Sequence, residues 1–185
     1  MWCYPQPNWS QETYLKACRF AAEAHQGQRF PGTELPYLYH LTLVAMEVIA
    51  ALHAEPHHDG ELALCCALLH DTVEDTKVTP EEITEKFGES VASGVLALTK
   101  DSRLDKAEQM PHSLKRIQAQ PPEIALVKLA DRITNLQPPP PDWTPEKCAR
   151  YLQEARTIYD ALHSASPFLA ARLKQKMETY RIYTT

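Results

Sequence analysis

His70 and Asp71 follow directly on an unbroken apolar run, residues 62–69, and Glu74 and Asp75 come next. If the helix that buries this run continues, each residue turns about 100°, so His70 stacks over Glu74 and Asp71 over Asp75 one turn on. Burying carboxylates without a counter-charge is costly, so this placement asks for a cation, and a metal ion is the compact choice. The plainer alternative has His70 capping the helix end while the acids face water. Asp131 arrives in the same way, after the mostly apolar run 125–130, although Asp131-Arg132 reads equally well as a surface ion pair. His40 stands where a proline-containing loop meets an apolar-periodic segment; it either joins the set or caps that segment. Two imidazoles and two carboxylates, with no thiolate beside them, suit Mn2+ or Fe2+ with open positions better than a closed structural zinc site. Such an ion would lower the pKa of a bound water and make it a nucleophile.

The elements that must position these residues read as helices. Ser10 caps a helix over residues 11–26, and residues 29–39, with Pro31, Gly32 and Pro36, form a loop. A second helix covers residues 40–54. Residues 61–71 form a third, buried on every side, because Ala, Leu and Cys rather than Val and Ile fill its apolar run. Thr79-Pro80-Glu81-Glu82 is a capping box with proline at the first helical position, and Gly88 closes that short helix. Residues 90–98 form the next helix. Residues 100–111 are polar and read as irregular, with a short helix over 112–119. A longer helix over 123–136 is stopped by the four prolines at 138–141. Thr144-Pro145 and Ser166-Pro167 open the last two, to about His163 and Tyr180. No repeat at a fixed period is present. The fold class is all-α, a multi-helix bundle forming a single domain over residues 1–185.

Composition agrees. A chain of 185 residues, 44% apolar and 23% charged, has the make-up of a globular protein rather than a disordered or collagen-like one. A core of that size hides roughly 70% of the surface the unfolded chain exposes. Five glycines are too few for many tight hairpins, whereas fifteen prolines can punctuate helices. A net charge of −5 gives no electrostatic reason to expect a nucleic-acid partner, while a local positive pocket can still take a small anion. Cys3, Cys18, Cys65, Cys66 and Cys148 are odd in number and lack a C-x-x-C pair, so they read as reduced thiols. Residues 1–7 have neither a basic start nor an apolar stretch, and nowhere does an apolar run approach the ~20 residues that span a bilayer. The expectation is a cytoplasmic protein without a membrane partner; no signature of an oligomeric state is present. Cys65 and Cys66 should be core residues rather than nucleophiles, and His53, His57 and His58 should be solvated.

Three segments together carry a resemblance. Tyr37-Leu38-Tyr39-His40-Leu41-Thr42, then Leu69-His70-Asp71-Thr72-Val73-Glu74-Asp75-Thr76, then Lys128-Leu129-Ala130-Asp131-Arg132-Ile133-Thr134-Asn135 appear in that order. In this the chain resembles the HD-type hydrolase domain of the Rel/Spo alarmone enzymes, most of all the small stand-alone alarmone hydrolases, over residues 12–163. The resemblance implies that His40, His70, Asp71 and Asp131 are the metal ligands, usually around manganese. It implies that Glu74 and Asp75 are the acidic pair set against the attacking water. By position, Arg29 matches a basic residue at the mouth of the substrate pocket, and Asn135 and Tyr151 match residues lining the nucleotide site. Family members hydrolyse the 3′-pyrophosphate of ppGpp or pppGpp, giving GDP or GTP and pyrophosphate.

The departures cluster around the pocket rather than the metal set. Phe30 stands where a second basic residue usually follows the arginine, Leu41 replaces the usual proline, and Gln137 with the prolines replaces a segment that often begins with arginine. Phe30 either leaves a phosphate without its partner, so that a lysine there would raise kcat/KM, or stacks on a base. An adenosine alarmone, or a nucleotide phosphate such as that of NADPH, is the rival substrate. A non-catalytic nucleotide-sensing module is the rival from another class, and loss of a ligand or of the acidic pair would have favoured it. Lys100, Arg103 and Lys106 are secondary candidates for offsetting phosphate charge.

Overall fold

Burial of residues 62–69 organises the molecule. The computed structural model describes residues 8–185, so the thiol assigned to Cys3 and the reading of residues 1–7 lie outside the described residues. Ten α-helical segments follow in order: α1 (Gln11–Ala24), α2 (Leu38–Ala54), α3 (Gly60–Leu69), α4 (Thr72–Asp75), α5 (Pro80–Phe87), α6 (Glu89–Leu98), α7 (Lys106–Gln118), α8 (Pro122–Asn135), α9 (Pro145–Leu162) and α10 (Pro167–Tyr180). Two short 3-10 turns, His163–Ala165 and Arg181–Tyr183, flank α10. Among the described residues the one non-helical pairing is an isolated bridge between Arg29 and Pro36, which folds the loop after α1 back on itself. None of these helices is long and apolar enough to cross a membrane.

Every residue of α3 except Glu61 is buried, as its Ala, Leu and Cys content requires, and α1, α2, α6 and α8 pack around it. α8 is buried from Glu123 through Thr134. α6 approaches both helices at Gly94. A β-carbon there would stand 2.5 Å from Ile124 Cδ1 and 2.7 Å from Cys66 Sγ, so only glycine lets the three helices come this close. The N-terminal turn of α2 meets the C-terminal ends of α3 and α8, bringing His40, His70 and Asp131 to one place.

The caps follow the sequence. Ser10, Thr144 and Ser166 each accept from the backbone N–H three residues on, and Thr79 and Glu82 close a reciprocal capping box. Gly88, at φ +89, both ends α5 and begins α6.

Four expectations need correction. α1 ends at Ala24, two residues early. α7 begins at Lys106, inside the stretch read as irregular, and runs through Pro111. Lys, Ala, Glu, Gln and Met are strong helix formers, and their summed preference outweighs the one backbone donor that proline removes. α3 does not continue through Asp71. The Thr72 hydroxyl donates to the Leu69 carbonyl at 2.7 Å and His70 Nδ1 takes the Ala67 carbonyl at 2.9 Å, so side chains engage the last carbonyls and the chain turns before α4. Finally, His58 is not solvated. It is 4% exposed, with Nδ1 3.2 Å from Glu123 Oε1 and Nε2 3.8 Å from Glu55 Oε2. Cys65 and Cys66 are buried as expected. Burial pushes the Cys65 thiol up to about 12 and raises Cys66 as well, so neither is a thiolate.

Candidate metal centre and active site

His70 sits in the turn after α3 because α3 ends there. Its Nδ1 is committed to the Ala67 carbonyl, which leaves Nε2 buried and without a hydrogen bond of good geometry. That orphaned nitrogen faces Asp71 Oδ2 at 2.9 Å and Asp131 Oδ1 at 3.9 Å. His40, in the first turn of α2, turns Nε2 to the same two oxygens at 3.6 and 3.5 Å. Its Nδ1 lies 3.5 Å from the Thr134 hydroxyl, which donates to the Asp131 carbonyl and so is left to accept from the ring. Both imidazoles thus have one nitrogen fixed by the scaffold and the other free for the centre, which is how ligating histidines are oriented. Ligand atoms of His40, His70 and Asp131 all lie within 4.8 Å of one another. The donor set fits a divalent cation.

The carboxylates are held from behind. Tyr37 Oη donates to Asp71 Oδ2 at 2.6 Å, Lys128 Nζ to Asp131 Oδ2 at 3.0 Å, and Asn135 Nδ2 to Asp131 Oδ1. Burial opposes ionisation of Asp71 and Asp131, yet their neighbours win. His70 holds Asp71 well below the usual carboxylate range, and Lys128 with the two histidines does the same for Asp131. Burial works against a charged His70, but Asp71 and Asp131 outweigh it and raise its pKa to about 9. A proton therefore occupies Nε2 where a divalent cation would replace it. Burial and the Asp71 charge also push the Tyr37 hydroxyl far above its ordinary value, so it stays a donor.

Glu74 and Asp75 lie on α4, off the continuous helical face that the sequence pattern anticipates. Glu74 accepts from the Lys100 backbone N–H at 2.8 Å and lies 3.2 Å from its ammonium. Asp75 Oδ2 accepts from Gln28 Nε2 at 3.4 Å. Burial first, and then the charges of Asp71 and Glu74, raise the Asp75 pKa.

Next to the centre lies a cleft of about 540 Å3, lined by Phe30, Pro31, Gly32, Thr33, Leu35, Tyr39, Leu43, Asn135, Gln137, the prolines at 138–141, Trp143, Tyr151 and Tyr180. No charged residue lines it. Asn135 and Tyr151 both face this cleft, and Asn135 has a second engagement, with Asp131. The Phe30 ring lies nearly parallel to that of His40, with centroids 5.6 Å apart and an 11° interplanar angle. Arg29 is exposed and paired with Glu34, 2.8 Å to its carboxylate and 2.6 Å to its carbonyl, so it is not brought to the centre. Arg103 is likewise tied to Asp101. Arg132 is buried, not a surface partner of Asp131. Its guanidinium covers the Tyr151 ring at 4.4 Å and reaches Glu154 at 3.3 Å. Sequence reasoning passed over Tyr37, Lys128 and Thr134. Lys128 did leave a signal: one lysine inside an apolar run, three residues before an aspartate on the same helix face.

A family model described as an HD domain matches residues 17–168. The chain belongs to the HD-domain family. The matched span contains His40, His70, Asp71, Glu74, Asp75 and Asp131. This HD-domain chain is 33% identical over 175 residues to the guanosine-3′,5′-bis(diphosphate) 3′-pyrophosphohydrolase MESH1 of Danio rerio, covering 90% of this chain and 93% of that one. The Homo sapiens protein of the same name is 33% identical, covering 86% and 90%. An Aquifex aeolicus guanosine-3′,5′-bis(diphosphate) 3′-pyrophosphohydrolase is 40% identical over 137 residues, which make up 72% of this chain and 18% of that longer one. The solved structure of a metazoan orthologue of SpoT that hydrolyses ppGpp superposes with a TM-score of 0.77 at 29% identity, over 96% of this chain and 98% of that one.

Proposed function

We propose that this HD-domain protein, as one catalytic domain in the cytoplasm, hydrolyses the 3′-pyrophosphate of ppGpp or pppGpp to GDP or GTP and pyrophosphate, using Mn2+. The observation that carries this reading is the convergence of His40 Nε2, His70 Nε2, Asp71 and Asp131 at three helix ends, with Glu74 and Asp75 alongside. Relatives matching nearly the whole chain bear the name of that activity. His40, His70, Asp71 and Asp131 would hold the ion, which when bound lowers the pKa of a water and polarises a phosphoryl oxygen. Asp75 is the better proton acceptor of the acidic pair. Its raised pKa matches that task, and its carboxylate is engaged by neutral donors rather than by an ammonium. Glu74 instead holds Lys100, keeping an ammonium near the centre where phosphate charge needs offsetting. Tyr37 and Lys128 keep the ligand carboxylates aimed.

A second reading keeps the metal set and changes the substrate to an adenosine alarmone or a nucleotide phosphate such as that of NADPH. The uncharged cleft, with Phe30 where a cation is usual and Arg29 tied to Glu34, favours it. The deciding experiment incubates purified nucleotides with the Mn2+-loaded protein and assays pyrophosphate and orthophosphate separately. Pyrophosphate from ppGpp supports the first reading. Product only from adenosine nucleotides or NADPH supports the second, and no product from any nucleotide rejects both. Asp75→Asn should lower turnover about 10²–10⁴-fold with Mn2+ content unchanged, since that is the usual worth of general acid–base help. Glu74→Gln should act mainly on KM, through Lys100. Loss of Mn2+ from either variant would make that residue a ligand instead.

A further inference from the structure

His25 is a buried imidazole that the proposed chemistry does not use. It follows α1 as its C-terminal cap, is 4% exposed, and has an Nε2 without a partner. Its Nδ1 lies 2.7 Å from Gln28 Oε1, and Gln28 Nε2 donates to Asp75 Oδ2 at 3.4 Å. The direction of this relay is forced from its far end. An ionised carboxylate only accepts, so the Gln28 amide must turn its NH2 to Asp75 and its carbonyl to His25. His25 must then carry its proton on Nδ1. The same ring is stacked on Tyr37, with centroids 4.7 Å apart and planes 19° apart, and Tyr37 Oη donates to Asp71 Oδ2. One buried ring therefore touches the supports of two carboxylates, Asp71 at the start of α4 and Asp75 at its end.

We propose that His25 is a positioning residue for both: through Gln28 it aims Asp75, and through its stack on Tyr37 it fixes the hydroxyl that holds Asp71. This rests on the reading of the site as a metal-dependent phosphohydrolase. Asp75 needs such help because it is exposed at the end of a helix of one turn. A carboxamide anchored to a rigid buried ring restrains it, and small errors of aim at a reacting group are costly in rate. Asp71 needs it because a ligand carboxylate left without its outer partner typically loses 10–100-fold in metal affinity or activity.

Two substitutions separate the arms. His25→Phe keeps the ring against Tyr37 and deletes the donor to Gln28. His25→Asn keeps a donor near the Nδ1 position and deletes the ring. In His25→Phe, kcat should fall about tenfold while KM and Mn2+ affinity stay within about twofold. In His25→Asn the pattern should invert, with the Mn2+ dissociation constant rising about tenfold, more than kcat falls. Gln28→Met should repeat the kcat loss of His25→Phe, yet add nothing in an Asp75→Asn background, because its effect runs through that carboxylate. Mn2+ affinity is read by titration without substrate. Turnover is read on ppGpp and on bis(p-nitrophenyl) phosphate, so a wild type that leaves ppGpp intact rejects the alarmone reading without touching this one. Variants of His25 that only lower Tm, with kcat and Mn2+ affinity unmoved, overturn the proposal. So does a Gln28→Met loss that is equally large with and without Asp75. Should the His25 variants fail to fold by circular dichroism, the half-buried Gln28 cycle decides alone.

Discussion

Phe30 is the side chain through which the metal set and the uncharged cleft meet. It lies face to face with His40 and edge-on to Tyr39, and it lines the cleft that Asn135 and Tyr151 also face. A cation at this position would strengthen contact with a phosphate, which is the basis for expecting Phe30→Lys to raise kcat/KM. The geometry argues the other way. A lysine here would lose the packing that seats the imidazole and would bring an ammonium next to a ring proposed to bind a cation. The ring also lines the cleft, and under the proposed function a nucleobase would stack there, an interaction worth roughly 1–3 kcal/mol by truncation, about five- to 150-fold. An added, partly exposed charge pair returns about 1 kcal/mol at most. Both Phe30→Lys and Phe30→Ala should therefore lower kcat/KM, with unequal losses for guanosine and adenosine substrates. Steady-state kinetics on both nucleotides checks this, and a gain in Phe30→Lys that fades with added salt would restore the charge account.

At the scale of elements, α6 packs closely against α3 and α8 at Gly94. Gly94→Val would press new methyl groups onto Ile124 Cδ1 and Cys66 Sγ, both fully buried. Overpacking of this kind costs about 1–3 kcal/mol. For a chain of this length that is a Tm loss of about 2–12 °C. Adding Ile124→Val, which deletes the offending Cδ1, should recover part of the loss in denaturant unfolding; no recovery would place the strain elsewhere. This junction was not legible in the sequence, where Gly94 is one small residue in an apolar run. What was legible had a local cause. Thr79 with Glu82, Thr144 with Pro145 and Ser166 with Pro167 mark helix starts because their side chains bond the next turn. The buried α3 could be read because eight consecutive apolar residues leave no polar face. His40, His70 and Asp131 could be read because ionisable groups at the ends of buried runs need a reason to be there. The errors came from contacts and preferences that residue type alone does not rank. Nothing near Thr72 announces that its hydroxyl will end α3, and nothing near His58 announces Glu123. Pro111 argued for a helix starting only at His112, and the helix formers before it overrode that.

The whole molecule is tied together at one point. Its proposed ligands come from the start of α2, the turn after α3 and the end of α8, three segments far apart in sequence that have no reason to meet in the unfolded chain. An ion bound to this set binds the native state almost exclusively, so by mass action it stabilises the fold. At a hundredfold excess over the dissociation constant this amounts to about 2.7 kcal/mol. At about 2–4 °C per kcal/mol for a chain of this size, Mn2+ should raise Tm by about 5–11 °C, and a chelator should reverse the shift. The increment should vanish in His70→Ala and Asp131→Ala, which remove ligand atoms from two of the three segments. It should persist in Asp75→Asn, whose carboxylate is assigned to the proton and not to the ion. Differential scanning fluorimetry with and without Mn2+ separates these cases. An increment that survives loss of both His70 and Asp131 would mean that the ion stabilises the protein from somewhere other than the junction of α2, α3 and α8.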